Sequence, residues 1–145
     1  MANIRLLFVS LALFSVVHLL PLDQASLPCK YYEEAEEKCQ CGQNEYLIGF
    51  GKKWCNLLTQ PELLKTFTKP GLKTVLCIRD CLINMTEKHI RESPLPFSSE
   101  QCKNLNQTEF DVFHPICYRG CGFCDLSVAD VGEMLYNRMG GRFCK

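Results

Sequence analysis

Eleven cysteines in a chain of 145 residues constrain what this sequence can fold into more than any other feature. Such a density is typical of a small exported protein with a modest hydrophobic core and a disulfide framework. Eleven thiols form at most five internal bridges, so one cysteine is left over. We expect the following ten to be half-cystines: Cys29, Cys39, Cys41, Cys55, Cys77, Cys81, Cys102, Cys117, Cys121 and Cys124.

Cys144 is the cysteine that we expect to be left over and to join two chains. It is the penultimate residue and follows Gly140 and Gly141, where a chain end is typically mobile and exposed. A disulfide-linked homodimer follows from this assignment. The alternative is that Cys144 closes a bridge within the chain and that another cysteine stays unpaired.

The amino-terminal residues have the pattern of a secretory signal peptide. Arg5 precedes an apolar run over 6–17, and small residues at 25 and 26 offer a cleavage point before Cys29. We predict a signal peptide over 1–25 and a single disulfide-rich domain over 26–145. This places the mature protein outside the cell.

A membrane anchor over 6–22 is the alternative to a signal peptide. The run is barely long enough to span a bilayer, and His18 and Pro21 interrupt it. No later stretch is comparably apolar, so we expect no membrane insertion of the mature chain.

The charge of the chain is balanced, with 16 basic and 16 acidic residues. Removal of 1–25 takes away one of each, Arg5 and Asp23. A neutral surface has no field that concentrates nucleic acid or anionic lipid, so we expect no nucleic-acid partner.

Two sequons support export. Asn84-Met85-Thr86 and Asn106-Gln107-Thr108 both fit the acceptor pattern for N-glycosylation. Helical periodicity places Asn84 on the side opposite the apolar residue Leu82, so a glycan on Asn84 would point to solvent.

The close cysteines Cys117, Cys121 and Cys124 also suit chemistries other than disulfide formation. Their spacing matches a four-iron cluster site, a pair of zinc ligands, or a Cys-x-x-Cys redox motif. The barrel, the second ligand pair and the preceding strand that these sites require are missing from the sequence. We therefore expect three structural half-cystines, with neither metal nor cofactor.

Catalytic groups are sparse. Tyr118 to Gly122 faintly resembles the glycine-rich calcium loop of secreted phospholipases, but the His-Asp pair that should follow is missing. The predicted mature chain has two histidines, His89 in a charged segment and His114 before a proline, and neither has a neighbouring nucleophile. We predict that the protein is not an enzyme and has no catalytic residue.

The hydrophobic periodicity predicts an all-α domain of four to five helices. We expect a helix over 31–38, a stretch over 45–58 whose first half is extended, a helix from Pro61 stopped by Pro70-Gly71, and helices over 72–90, 98–114 and 127–139.

The segment 72–90 has the clearest pattern. An apolar stripe recurs at three and four residues, formed by Leu72, Val75, Ile78, Leu82 and Met85. Cys77 and Cys81 lie one turn apart, so they face one side and reach different partners. Ser98 and Gln101 predict a capping box at the start of the next helix.

The order Gly71, Cys81, Cys102, Cys117-Tyr118, Cys124 and Val131 resembles the second half of the stanniocalcins over roughly 67–136. The chain differs from that family at Cys39-x-Cys41 and Cys121 and lacks its long carboxy-terminal tail. The resemblance implies a secreted, hormone-like glycoprotein that forms disulfide-linked dimers through a late cysteine. It also implies a connection to calcium or phosphate balance.

These observations together predict a secreted glycoprotein that binds an extracellular protein partner or receptor as a hormone-like signalling or regulatory factor. Two alternatives stay open. One is a venom or defence toxin that acts on a channel or receptor, and the other is a secreted hydrolase that uses His89 or His114.

Overall fold

The computed structural model describes residues 28–132 and 135–144, and every regular element within these ranges is helical. The predicted all-α, disulfide-stapled class is confirmed. The predicted signal peptide, 1–25, and its cleavage point lie outside the described residues.

Seven α-helices of four or more residues lie in these ranges: α1 (Tyr31–Cys39), α2 (Lys53–Leu58), α3 (Pro61–Leu64), α4 (Lys69–Arg91), α5 (Ser99–Thr108), α6 (His114–Gly120) and α7 (Val128–Val131). Two π-helices extend them. The first, π1 (Tyr46–Lys52), leads directly into α2, and the second, π2 (Glu109–Phe113), joins α5 to α6. The long helical rods are therefore 46–58, α4 and 99–120.

Two of the predicted boundaries before α4 are wrong. The first half of 45–58 is helical rather than extended, since it forms π1. Pro70 and Gly71 do not stop a helix but lie in the first turn of α4, where a proline needs no hydrogen-bond donor. The Thr68 hydroxyl caps that turn by accepting from the Gly71 amide at 3.3 Å.

The helix that begins after Ser98 has the predicted capping box but not the predicted end. Ser98 and Gln101 exchange both hydrogen bonds. The helix then continues past Pro115 to Gly120, because π2 widens the backbone just before the proline. Pro115 thereby occupies the first turn of α6, where its missing amide and its ring are tolerated.

The predicted helix over 127–139 is interrupted. Ser127 and Asp130 cap α7, which ends at Val131, and Gly132 follows with a positive φ of 77°. A non-glycine residue rarely adopts this conformation, so the glycine permits the break. Helical backbone resumes as a π-helix over Tyr136–Gly140 and ends with a short turn over Gly141–Phe143.

Two disulfides join α4 to α6. Cys77 pairs with Cys121 and Cys81 pairs with Cys117, so each helix contributes two cysteines one turn apart. The expectation that Cys77 and Cys81 share a face and reach different partners is confirmed.

Three further disulfides join the outer elements. Cys29–Cys55 holds the start of α1 against α2, Cys41–Cys102 holds the turn after α1 against α5, and Cys124–Cys144 holds the carboxy-terminal segment.

The assignments of Cys39 and Cys144 are corrected by these pairs. All eleven cysteines lie in the described ranges, and the unpaired one is Cys39, which is buried with 0% exposure. Cys144 bonds Cys124 instead of a second chain, because the tail folds back onto the domain. With this pairing, Cys144 has no free thiol with which to join a second chain.

The buried side chains form two clusters. The first surrounds α4, α6 and the carboxy-terminal segment and includes Val75, Ile78 and Leu82 of the predicted stripe. Leu72 and Met85 are only partly buried, whereas Thr86 and Ile90 complete the buried side of α4. The second cluster packs α1, π1 and α5 around residues such as Ala35, Leu47 and Leu105.

Gly71 permits a close approach of α4 and α7. A Cβ atom at Gly71 would lie 2.1 Å from the Asp130 carbonyl oxygen, so a side chain there forces the helices apart.

We expect Gly71→Ala to lower the free energy of unfolding by about 1–3 kcal/mol, measured by urea denaturation with the disulfides intact. Gly120→Ala is the matched control, because nothing lies within 4 Å of its Cβ position. The control should leave stability unchanged or raise it by up to about 1 kcal/mol. Equal stability of both variants would contradict the close approach.

Cys39 should behave as a shielded thiol. Burial and then Glu36 raise its pKa to about 11, so the reactive thiolate is scarce at neutral pH. We expect a thiol reagent to label no cysteine in the native protein and one in unreduced, denatured protein, identified by peptide mapping as Cys39. The Cys39→Ala variant should show no labelling in either state. A disulfide-linked dimer on a non-reducing gel would argue against this pairing.

Candidate functional site

A fully buried carboxyl group lies where the two clusters meet. Glu109 is the first residue of π2 and has 0% exposure. It occupies a position of the buried stripe otherwise formed by Cys102, Leu105, Phe113 and Cys117. Glu109 is not among the predicted site residues, although its position in this three- and four-residue repeat indicates burial.

Three hydroxyl groups from other helices surround Glu109. The Thr86 hydroxyl of α4 is hydrogen-bonded to Glu109 Oε1 and to the Leu82 carbonyl. The Tyr46 hydroxyl of π1 is hydrogen-bonded to the same carboxyl, and the Tyr32 hydroxyl of α1 is hydrogen-bonded to Tyr46. The network therefore connects α1, π1, π2 and α4 through one acidic side chain.

The Glu109 carboxyl keeps its proton to a higher pH than an exposed glutamate does. Burial raises its pKa to about 7, and the hydrogen bonds from Thr86 and Tyr46 only partly offset this effect. Glu109 Oε2 has no hydrogen-bond partner. A protonated Glu109 can donate through Oε1 to the Thr86 hydroxyl oxygen, which leaves the Thr86 proton for the Leu82 carbonyl.

His114 lies beside Glu109 and is held neutral. Burial lowers its pKa to about 4. Its Nδ1 lies 2.8 Å from the Glu109 carbonyl oxygen, which can only accept, so Nδ1 carries the proton. The same Nδ1 is 3.8 Å from Glu109 Oε2. Two titratable groups in one place thus have their pKa values displaced in opposite directions.

Aromatic rings surround His114. Its ring stacks on Phe110 and Tyr118, with centroids at 5.3 and 6.0 Å, and lies 5.1 Å from Phe143. The Cys124–Cys144 bridge holds Phe143 in this position, and Arg142 lies 4.9 Å above the Phe110 ring. The carboxy-terminal segment thereby closes one side of the aromatic cluster, which explains the internal pairing of Cys144.

The structure separates the three close cysteines. Cys117 and Cys121 bond to α4, while Cys124 bonds to the carboxy-terminal segment. None of these three sulfurs is a free thiolate. The described residues hold no group of three His, Cys, Asp or Glu side chains placed to bind a metal ion.

The two sequons lie on helices. Asn84 is exposed on α4, as its position opposite the stripe predicted, and Asn106 is partly exposed on α5. Thr86, which completes the first sequon, is buried with its hydroxyl directed to Glu109. Modification of Asn84 would therefore have to precede folding of α4.

The two histidines considered for hydrolysis have different surroundings from those expected. His114 is within a continuous helical rod rather than at an element's end. His89, although it lies in a charged segment, is half-buried, with ring centroids 6.4 Å from Phe97 and 6.0 Å from Phe113.

No helix among the described residues is both long and apolar enough to cross a membrane. Comparison with protein-family models, curated proteins and solved structures finds no match for this chain.

The Glu109 carboxyl should control how stability depends on pH. Its pKa is raised from 4.5 to about 7, so the folded state holds more protons than the unfolded state in this interval, and stability falls as pH rises. The loss amounts to about 3 kcal/mol. His114 acts oppositely, because its pKa is lowered from 6.5 to about 4 and stability rises with pH in that interval. We expect Glu109→Gln to remove the loss of stability with rising pH that Glu109 causes, and to leave the gain that His114 causes. Urea denaturation across pH 4 to 7.5 provides the measurement.

Glu100→Gln is the matched control for Glu109→Gln, because Glu100 is an exposed carboxylate on the same rod. Its stability curve should run parallel to that of the wild type. A Glu109→Gln curve that also runs parallel would show that Glu109 does not titrate differently in the folded state.

Proposed function

We propose that the protein is secreted and acts by binding an extracellular protein, as a hormone-like signalling or regulatory factor. The observation that carries this proposal is an exposed apolar pair on the rod 99–120. Val112 is 44% exposed and Ile116 is 47% exposed, and they lie one turn apart on the same face.

The pair is presented by a rigid support. Cys117 and Cys121, on the turns that follow Ile116, are bonded to α4. A surface fixed before binding loses less conformational entropy when a partner docks. Burial of exposed apolar side chains against a partner contributes favourable free energy to protein–protein association.

Polar residues border the pair. Asp111 is exposed beside Val112, and Arg119 is exposed about one turn beyond Ile116. An apolar centre with a charged border is the usual composition of a protein-binding surface.

Secretion and the hormone-like role have separate support. Five disulfides in one small chain fit an oxidising compartment. The hormone-like part of the proposal rests on the resemblance in cysteine order to the stanniocalcins. The proposal does not include a covalent dimer through Cys144, because Cys144 is bonded to Cys124.

The double variant Val112→Asp with Ile116→Asp should weaken saturable binding of labelled protein to receptor-bearing cells at least tenfold. The reason is that two carboxylates replace the apolar centre of the contact, while exposed positions tolerate substitution with little effect on folding. Dose-dependent binding to a panel of intact cells provides the measurement, with circular dichroism and disulfide mapping as checks of the fold.

Val128→Asp is the matched control, because Val128 is a similar apolar residue on α7 with 43% exposure. It should bind as the wild type does. Equal binding by the double variant and the control would refute the proposed surface, and the lack of any saturable binding by the wild type would remove the proposed function.

A further inference from the structure

A cavity of about 50 Å³ lies between the rod 46–58 and α4. Most of its wall is apolar, with Phe50, Trp54 and Leu58 on one side and Val75, Ile78 and Leu82 on the other. The buried rings of Tyr118 and Phe123 also contribute to the wall, whereas Trp54 and Leu58 are partly exposed. The partly exposed side chains mark the side from which a ligand could enter.

Three of the polar side chains in the wall have partners within the protein. The Tyr46 hydroxyl is hydrogen-bonded to Glu109, the Thr59 hydroxyl donates to the Cys55 carbonyl at 2.8 Å, and Arg79 pairs with Asp80 at 2.7 Å. A buried water molecule needs two to four polar partners, and an apolar cavity without them stays dry. The cavity is therefore suited to a hydrocarbon rather than to water.

The π-helices π1 and π2 contribute to this region. Tyr46 and Phe50 come from π1, and His114 directly follows π2. Rings from the two segments meet, since Phe50 lies 4.6 Å from Phe110 and 5.8 Å from His114. π-Helical turns are uncommon in proteins, but those that occur often lie at functional sites. There they place side chains that a regular α-helix would direct elsewhere.

We propose that this cavity binds a small uncharged apolar ligand, of the size of a short alkyl chain. One water molecule needs roughly 10–15 Å³ of such space, so the cavity accommodates about three to five groups of that size in contact. Aromatic and branched side chains on all sides supply dispersion contacts along such a ligand. This activity is independent of the protein-binding face at Val112 and Ile116.

Trp54 provides a direct readout, because it lines the cavity and is the chain's single tryptophan. The test titrates the oxidised full domain with 1-bromobutane, whose bromine quenches indole fluorescence on contact. We expect saturable quenching by 1-bromobutane. The polar quencher 2-bromoethanol and the bulky 1-bromoadamantane should quench only in linear proportion to their concentration, because one is polar and the other exceeds the cavity.

Two variants that fill the cavity complete the test. Val75→Phe adds a ring from α4, and Leu58→Phe, at a partly exposed position, reduces the space with less risk to folding. Each folded variant should weaken 1-bromobutane binding at least tenfold, whereas Val128→Phe on α7, outside the wall, should bind as the wild type does.

Linear quenching of the wild type by 1-bromobutane would overturn the proposal. So would saturable quenching that is equal for 1-bromoadamantane or unchanged in Leu58→Phe, because either result places the probe on the outer surface. Neither outcome depends on binding to cells, so the proposed function is judged separately.

Discussion

The paired disulfides between α4 and α6 are the constraint on which the rest of the structure depends. Cys81–Cys117 lies inside the loop closed by Cys77–Cys121, so the second bridge to form closes only a short additional loop. In the chain-entropy account it therefore restricts the unfolded state less than an independent bridge would. The main effect of the second bridge is to set the register of the antiparallel helices α4 and α6. With that register fixed, α6 directs His114 and Tyr118 towards π1, and its outer face presents Ile116.

Glu109 shows how the fold tolerates a costly group at its centre. An ionised carboxylate without full hydrogen bonding is expensive to bury, and the pKa of about 7 reduces that cost by keeping the proton bound over much of the acidic range. Thr86 of α4 and Tyr46 of π1 each contact this one side chain. The network therefore ties the two apolar clusters together with directional contacts, where apolar packing alone would permit sliding. The same region holds π1, π2 and the wall of the cavity.

The predictable part of the fold follows from local pattern. The α4 stripe of Val75, Ile78 and Leu82 and the Ser98 capping box depend on residues within one or two turns, so periodicity identified them. The predicted helix boundaries are wrong where contacts between residues distant in sequence determine the structure. Pro115 would end an isolated α-helix, but π2 and the bonds from Cys117 and Cys121 to α4 let the rod continue. Pro70-Gly71 begins a helix because Thr68 caps it and because α7 packs against Gly71.

The sequence by itself determined the helical class and the disulfide-rich composition, because periodicity and cysteine count require no knowledge of distant contacts. It also showed that one cysteine must remain outside the five internal bridges. Only the tertiary structure decided which one, since pairing depends on the three-dimensional approach of sulfurs far apart in the chain. The carboxy-terminal segment returns over the aromatic cluster and brings Cys144 to Cys124, while α1 encloses Cys39 in the second cluster. Glu109 and the cavity likewise arise only from packing, because their surroundings come from helices distant in sequence.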